Sequence, residues 1–209
     1  WDPFRFAWDF NYGSVNYDES RMNRSGWLAS LLFEYKLDWG IPGLYGWYGS
    51  GDDSNPANGS ERMPTLSANN TNGFSNFAFD GDPYIARDAV IGHGMGGTWG
   101  IGARLKDMSF VEDLKHTFRV AYWGGTNSTS MVKYMDSAYA WNYGTGTGAS
   151  PYLTTEDGLL EFNLVNSYQM YENFDVNLEL GYIANFMDND TWKKAGSRAS
   201  SFQKQDMWK

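Results

Sequence analysis

Seven segments of this chain alternate apolar and polar residues at period two for about ten residues at a stretch, and that length narrows the possible folds most. The first is the most emphatic. Phe4, Phe6, Trp8, Phe10 and Tyr12 are separated by Arg5, Ala7, Asp9 and Asn11. Side chains project alternately from the two faces of a strand, so such a segment has one greasy face and one wet face. Bounded by Gly, Asn, Asp and Pro clusters, strands are expected over 4–13, 27–38, 43–50, 95–107, 116–125, 158–170 and 175–187, with an eighth beginning near 202. Strands of soluble proteins average about five to six residues, whereas about ten, tilted near 45°, span a bilayer core.

The faces repeat from strand to strand. Trp27, Ala29, Leu31, Phe33 and Tyr35 oppose Ser30, Glu34 and Lys36; Trp99, Ile101, Ala103 and Leu105 oppose Thr98, Arg104 and Lys106. Phe118, Val120 and Tyr122 oppose Thr117 and Arg119, Leu160, Phe162 and Leu164 oppose Glu161 and Asn163, and Leu178, Leu180 and Tyr182 oppose Asn177 and Glu179. Aromatic residues on the greasy faces often gather near strand ends, with Ala and Leu between, as an interfacial girdle requires, although the first strand is aromatic throughout. Connections after the second, fourth and sixth strands are short, and those after the first, third, fifth and seventh are long and rich in Gly, Asn, Ser and Asp. The pattern predicts an up-and-down antiparallel sheet with turns at one end and loops at the other. That is the topology of an all-β transmembrane barrel, and residues 1–209 are read as one partial barrel domain. A soluble sandwich whose greasy face is the core satisfies the same periodicity.

Charge and composition exclude several classes. The net charge of −9 and the lack of a basic cluster argue against nucleic acid as a partner. Cysteine is absent, which removes disulfide frameworks and thiolate metal sites. The longest apolar run, "WLASLLFEYKL", carries Glu34 and Lys36 and is no membrane helix. The chain opens on Trp1 with no leader, so a secretory signal has been removed or was never part of it. "GHGMGG" fits G-x-G-x-x-G but leads into a strand, where a dinucleotide site needs a helix. His93 and His116 stand apart with no metal-ligand spacing, and no nucleophile motif is present, so an enzyme is not expected.

Five stretches carry a further signal: "FRFAWDFNYGSVNY", "RSGWLASLLFEYKLDWGIPGLYGWYGSGDD", "NGSERMP", "DPYIARDAVIGHGMGGTWGIGARLKDMSFVEDLKHTFRVAYWGGTN" and "YLTTEDGLLEFNLVNSYQMYENFDVNLELGYI". They resemble the homotrimeric outer-membrane porins of sulfate-reducing bacteria, of the general diffusion type, over the later part of such a protein. The resemblance implies an integral outer-membrane barrel of about sixteen strands, eight of them represented here, large enough to leave an aqueous channel. It implies a homotrimer passing small hydrophilic solutes and ions passively, in contact with outer-membrane lipid and lipopolysaccharide.

In a channel the wet face is the wall, and its charges set selectivity. By parity the pore-lining cations are Arg5, Lys36, Arg104, Lys106 and Arg119, and the anions are Asp9, Glu34, Glu161 and Glu179. The fourth and fifth strands contribute bases and the sixth and seventh acids, which predicts a basic wall beside an acidic one; the bland alternative is that these charges are simply solvated. Leu28, Leu32, Trp123, Val165, Ile183 and Met187 break the pattern on the wet face, as Asn166 does on the greasy one. Either the long loop 51–94 folds inward as a constriction and covers the apolar ones, or bulges shift the register. No cofactor is expected. The one candidate is loop-bound Ca2+ at Asp52, Asp53, Asp188 and Asp190, in pieces without EF-hand spacing. The competing function is a secreted all-β carbohydrate-binding module whose exposed aromatics stack on sugar rings.

Overall fold

The computed structural model describes residues 2–64, 74–75, 77, 94–135, 141–142, 147–148, 152–194 and 206–208. The chain is all-β. In order come β1 (Phe4–Val15), β2 (Arg24–Tyr35), β3 (Ile41–Gly49), β4 (Thr98–Val111), β5 (Leu114–Gly125), β6 (Trp141–Asn142), β7 (Thr147–Gly148), β8 (Gly158–Tyr171), β9 (Phe174–Asn185), the single helical turn α1 (Asn189–Trp192) and β10 (Met207–Trp208). Eight strands form one antiparallel sheet in the order β1-β2-β3-β4-β5-β8-β9-β10, and β6 and β7 pair separately. The sheet is open: among the described residues β1 bonds only to β2, and β10 only to β9.

Every expected strand is present, and the differences lie at the ends. β2 begins at Arg24, so the connection from β1 is shorter than expected and holds a 3-10 turn at Ser20–Met22. β4 runs on to Val111 through register shifts between Leu105 and Met108 and between Met108 and Val111. Asp107 (φ 54°) and Asp113 (φ 62°) take left-handed conformations in this stretch, which short polar side chains tolerate better than branched ones. The stretch "DMSFVEDLKH" is therefore mostly strand, turning at Glu112 and Asp113. Of the eighth strand, residues 202–205 lie outside those described and Met207–Trp208 pair with Ile183 and Tyr182.

The register aligns side chains in rows across the sheet. One row on the wet face runs Arg5, Glu34, Gly43, Arg104, Arg119, Asn163, Gly181; the next runs Ala7, Leu32, Tyr45, Gly102, Ala121, Glu161, Ile183, Met207. A third runs Asp9, Ser30, Trp47, Gly100, Trp123, Leu159, Asn185. No register shift occurs at Leu28, Leu32, Trp123, Val165 or Ile183, so these apolar residues do lie on the polar face.

Burial is inverted relative to an ordinary sandwich. Ile101 is 63% exposed and Leu44 62%, whereas Glu161 and Trp123 on the other face are at 0%. Phe4, Phe6, Trp8, Phe10 and Tyr12 are all exposed. The core consists of Leu32, Tyr45, Trp47, Ala121, Trp123, Leu159 and Ile183 on the polar face, with Phe74, Phe77 and Met95 from the β3–β4 connection, and Val132, Leu153 and Trp192 from the other loops. The greasy face is left bare along the length of the sheet.

Candidate functional site

The polar face is built around glycines that let larger neighbours lie flat. A Cβ at Gly102 would collide with the Tyr45 ring, one at Gly100 with the Trp47 ring, and one at Gly181 would stand 2.7 Å from Phe77. Tyr45, Trp47 and Phe74 stack nearly parallel over this floor, Tyr45–Phe74 at 4.6 Å between centroids and Trp47–Phe74 at 6.0 Å. The Tyr45 hydroxyl donates to the Phe74 carbonyl at 2.8 Å. Gly102→Ala is expected to cost about 1–3 kcal/mol by lifting the Tyr45 ring off its floor. Chemical unfolding measures this, and unchanged stability would mean that the ring does not need the space.

Charge follows the first row. Glu34 lies across Gly43, where a Cβ would stand 2.9 Å from its Cγ, and reaches Arg104 on β4. Arg104 Nη2 donates to Glu34 Oε1 at 2.7 Å and Nε to the same oxygen at 3.1 Å, while Arg5 Nη1 donates to Oε2 at 3.2 Å. The Arg104–Glu34 pair is nearly buried, at 8% and 4% side-chain exposure, but Arg5 is 65% exposed. Pairing of the first kind is strong only because water is excluded, and the Arg5 contact is worth little. Arg119 stands directly opposite Arg104, with Asn163 beside it on β8.

The expected pore-lining residues therefore divide. Arg5, Glu34, Arg104 and Arg119 fall in one row and Glu161 in the next, one strand beyond Arg119. Asp9 is exposed on β1 and accepts from Asn11 Nδ2 at 2.7 Å. Lys36 lies just past β2, Lys106 is half-exposed with Nζ 3.6 Å from Asp107, and Glu179 sits opposite Val165. Segregation of bases and acids by strand is thus offset at Arg104 by a carboxylate from β2. On the greasy face Asn166 Oδ1 lies 2.6 Å from His116 Nδ1 on the adjacent strand, and its Nδ2 donates to the Leu178 carbonyl at 3.5 Å.

Part of the 51–94 connection does cover the wet face. Phe74, Ser75 and Phe77 reach Tyr45, Glu161 and Gly181 respectively. Its remaining stretch, and His93 with it, falls largely outside the described residues. Gly97 of "GHGMGG" (φ 79°) is where the connection turns into β4, packed on Arg62 and Asn127.

The loop ends are knotted by buried polar groups, of which sequence reading singled out Asp52 alone, and as a calcium ligand. Asn127 accepts from Asp52 N at 2.9 Å and donates to the carbonyls of Gly97 at 3.1 Å and Leu153 at 2.5 Å, joining three connections. Asp157 accepts from Thr154 N and Oγ1, Asp188 N and Trp192 Nε1. Asp52 accepts from the Tyr152 hydroxyl at 3.2 Å, beside Arg62, whose guanidinium stacks 4.9 Å from the Tyr152 ring. Burial raises the Asp52 carboxyl above its usual range, partly offset by hydrogen bonds from Ser60 and Tyr152. The other calcium candidates do local work too. Asp53 accepts from Asn55 N and Asn58 Nδ2, Asp188 caps α1 through Thr191 N at 2.9 Å, and Asp190 pairs with Lys193. Hydrogen bonds from Thr191 lower the Asp188 carboxyl. Among the described residues no three His, Cys, Asp or Glu side chains converge as a metal site would require.

No family model, no curated protein and no solved structure matches this chain.

Proposed function

We propose that the chain forms part of the wall of an outer-membrane β-barrel channel for passive diffusion of small hydrophilic solutes and ions. The observation that carries this reading is the inverted burial. The apolar face is bare over eight strands while the polar face holds ion pairs and the covering segment. In water so extended an apolar surface would drive aggregation, and in a bilayer it is the favourable solvent contact.

The arrangement of rings supports it. At the loop end Phe10, Trp27 and Tyr48 stack at 6.2 and 5.2 Å, and Trp99 meets Tyr122 at 5.8 Å. At the turn end stand Phe4 with Tyr35 at 4.9 Å and Tyr171 with Phe174 at 6.4 Å. Between them aliphatic residues such as Leu31, Leu44, Ile101, Ala103, Val120 and Leu160 share their rows with Phe6, Trp8, Phe33, Phe162 and Tyr182. From Phe4 to Tyr12 the strand rises roughly 26 Å at about 3.3 Å per residue, enough when tilted to cross most of the hydrocarbon. A sugar-binding platform needs a few rings in one patch, not an apolar face continuous across the sheet. A larger barrel of about sixteen strands, a homotrimer and lipopolysaccharide contacts at the loop rim belong to the same reading.

The deciding experiment is conductance of the intact detergent-extracted protein in a planar bilayer. Stepwise insertions, each followed by three equal closures at high voltage, are expected; a protein that stays monodisperse without detergent, or inserts without conducting, sinks the proposal.

A further inference from the structure

We infer that Glu161 is the positioning residue that fixes where the β3–β4 connection sits on the polar face, acting through the Ser75 hydroxyl. The inference rests on the channel reading for its consequence, which is control of the bore, and on geometry alone for the contact itself. Glu161 is fully buried on β8, flanked in its row by Ala121 and Ile183. A carboxylate in such surroundings is costly unless hydrogen-bonded. Ser75 Oγ lies 2.9 and 2.8 Å from its two oxygens, and Asn163 Nδ2 donates to Oε1 at 2.7 Å. The same Ser75 oxygen accepts from Phe77 N at 3.0 Å, which shapes the chain locally around the contact.

Other contacts hold this segment too, among them the Phe74 ring stacked on Tyr45 and Trp47. Tyr45 donates to a main-chain carbonyl, an acceptor that every residue offers, and the Phe77 ring rests on Gly181, a flat contact along which a ring can slide. A hydroxyl aimed into a buried carboxylate has no such freedom. Shifting the connection by one residue would replace Ser75 with Phe74 or Asn76 and remove the hydroxyl from Glu161. The charge on β8 therefore favours the seating that places the Ser75 hydroxyl over it.

The test uses the whole protein in planar bilayers. Ser75→Ala is expected to raise single-channel conductance about two-fold and add current noise, because a constriction released from its seat widens the narrowest part of the path. Ser75→Thr, which keeps the hydroxyl, is expected to retain the original conductance. Ser75→Ala combined with Glu161→Ala should go no further than the single variants, since the two groups act as one unit. Heat-modifiable mobility on gels checks that each variant is folded. The chain has no cysteine, so Ser75→Cys with Glu161→Cys reports proximity independently of conduction. A short bifunctional thiosulfonate is expected to link that pair in the folded protein and not to link Ser75→Cys with Leu44→Cys on the opposite face. Linking in a protein that never conducts would leave the contact standing and overturn the channel reading alone. Unchanged conductance in Ser75→Ala, or failure of the folded pair to link, would overturn the assignment.

Discussion

Ile101→Arg is expected to destabilise the protein in lipid vesicles by about 2–4 kcal/mol, the cost of a guanidinium near the middle of the hydrocarbon on a barrel's outer face. Position 101 is 63% exposed, between Gly46 and Tyr122 on the neighbouring strands, so a longer residue has open space on the β3 side where no side chain stands. For a protein in water the same substitution at an open site would change stability by no more than about 0.5 kcal/mol. The outcome therefore reads the solvent of this face directly. Tyr48→Arg, placed in the loop-end belt, should cost only about 0–1 kcal/mol because the penalty falls towards the interface. Reversible urea unfolding in vesicles measures both, and equal small effects at 101 and 48 would place the face in water.

Glu34→Ala is the second large effect. It leaves Arg104 nearly buried without its carboxylate, for which about 3 kcal/mol of lost stability is expected. Replacing Glu34 and Arg104 together by methionine should restore most of that, since a well-packed apolar pair carries no uncompensated charge. The same variant tests electrostatics. Removing the one carboxylate between Arg5 and Arg104 is expected to shift the reversal potential in a salt gradient towards anions, while neutralising Arg119 shifts it towards cations. If neither substitution moves the potential, these charges do not set selectivity.

The strands and their two faces were legible because period-two patterning is a local property, readable one segment at a time. The side of the sheet on which the core lies was not. Leu32, Trp123 and Ile183 looked misplaced on a polar face, and sequence alone left a bulge and an inward loop as equal explanations. The regular register at these positions, with Phe74 and Phe77 packed over them, favours the loop. The real irregularities fall between Gln169 and Tyr171 and after Leu105, where nothing in "LKDMSFVED" separates a kinked strand from an early turn. Tyr45 and Trp47 were available to the same parity argument, since they share one face with Gly43 and Gly49 in "GLYGWYG". Ser75, Asn127 and Asp157 were not, because each matters through partners that lie dozens of residues away in the chain.

The unpaired side of β1 bears on how such a wall can be assembled. Along Phe4–Val15 the main chain bonds on one side to β2, and among the described residues nothing takes the other. In hydrocarbon each unsatisfied N–H or C=O costs several kcal/mol. On the channel reading, a sheet with this edge would not settle into a bilayer first and find its neighbour later. Strand pairing and entry into lipid would then proceed together, with any lone intermediate held at the membrane surface until its lateral seam is sealed.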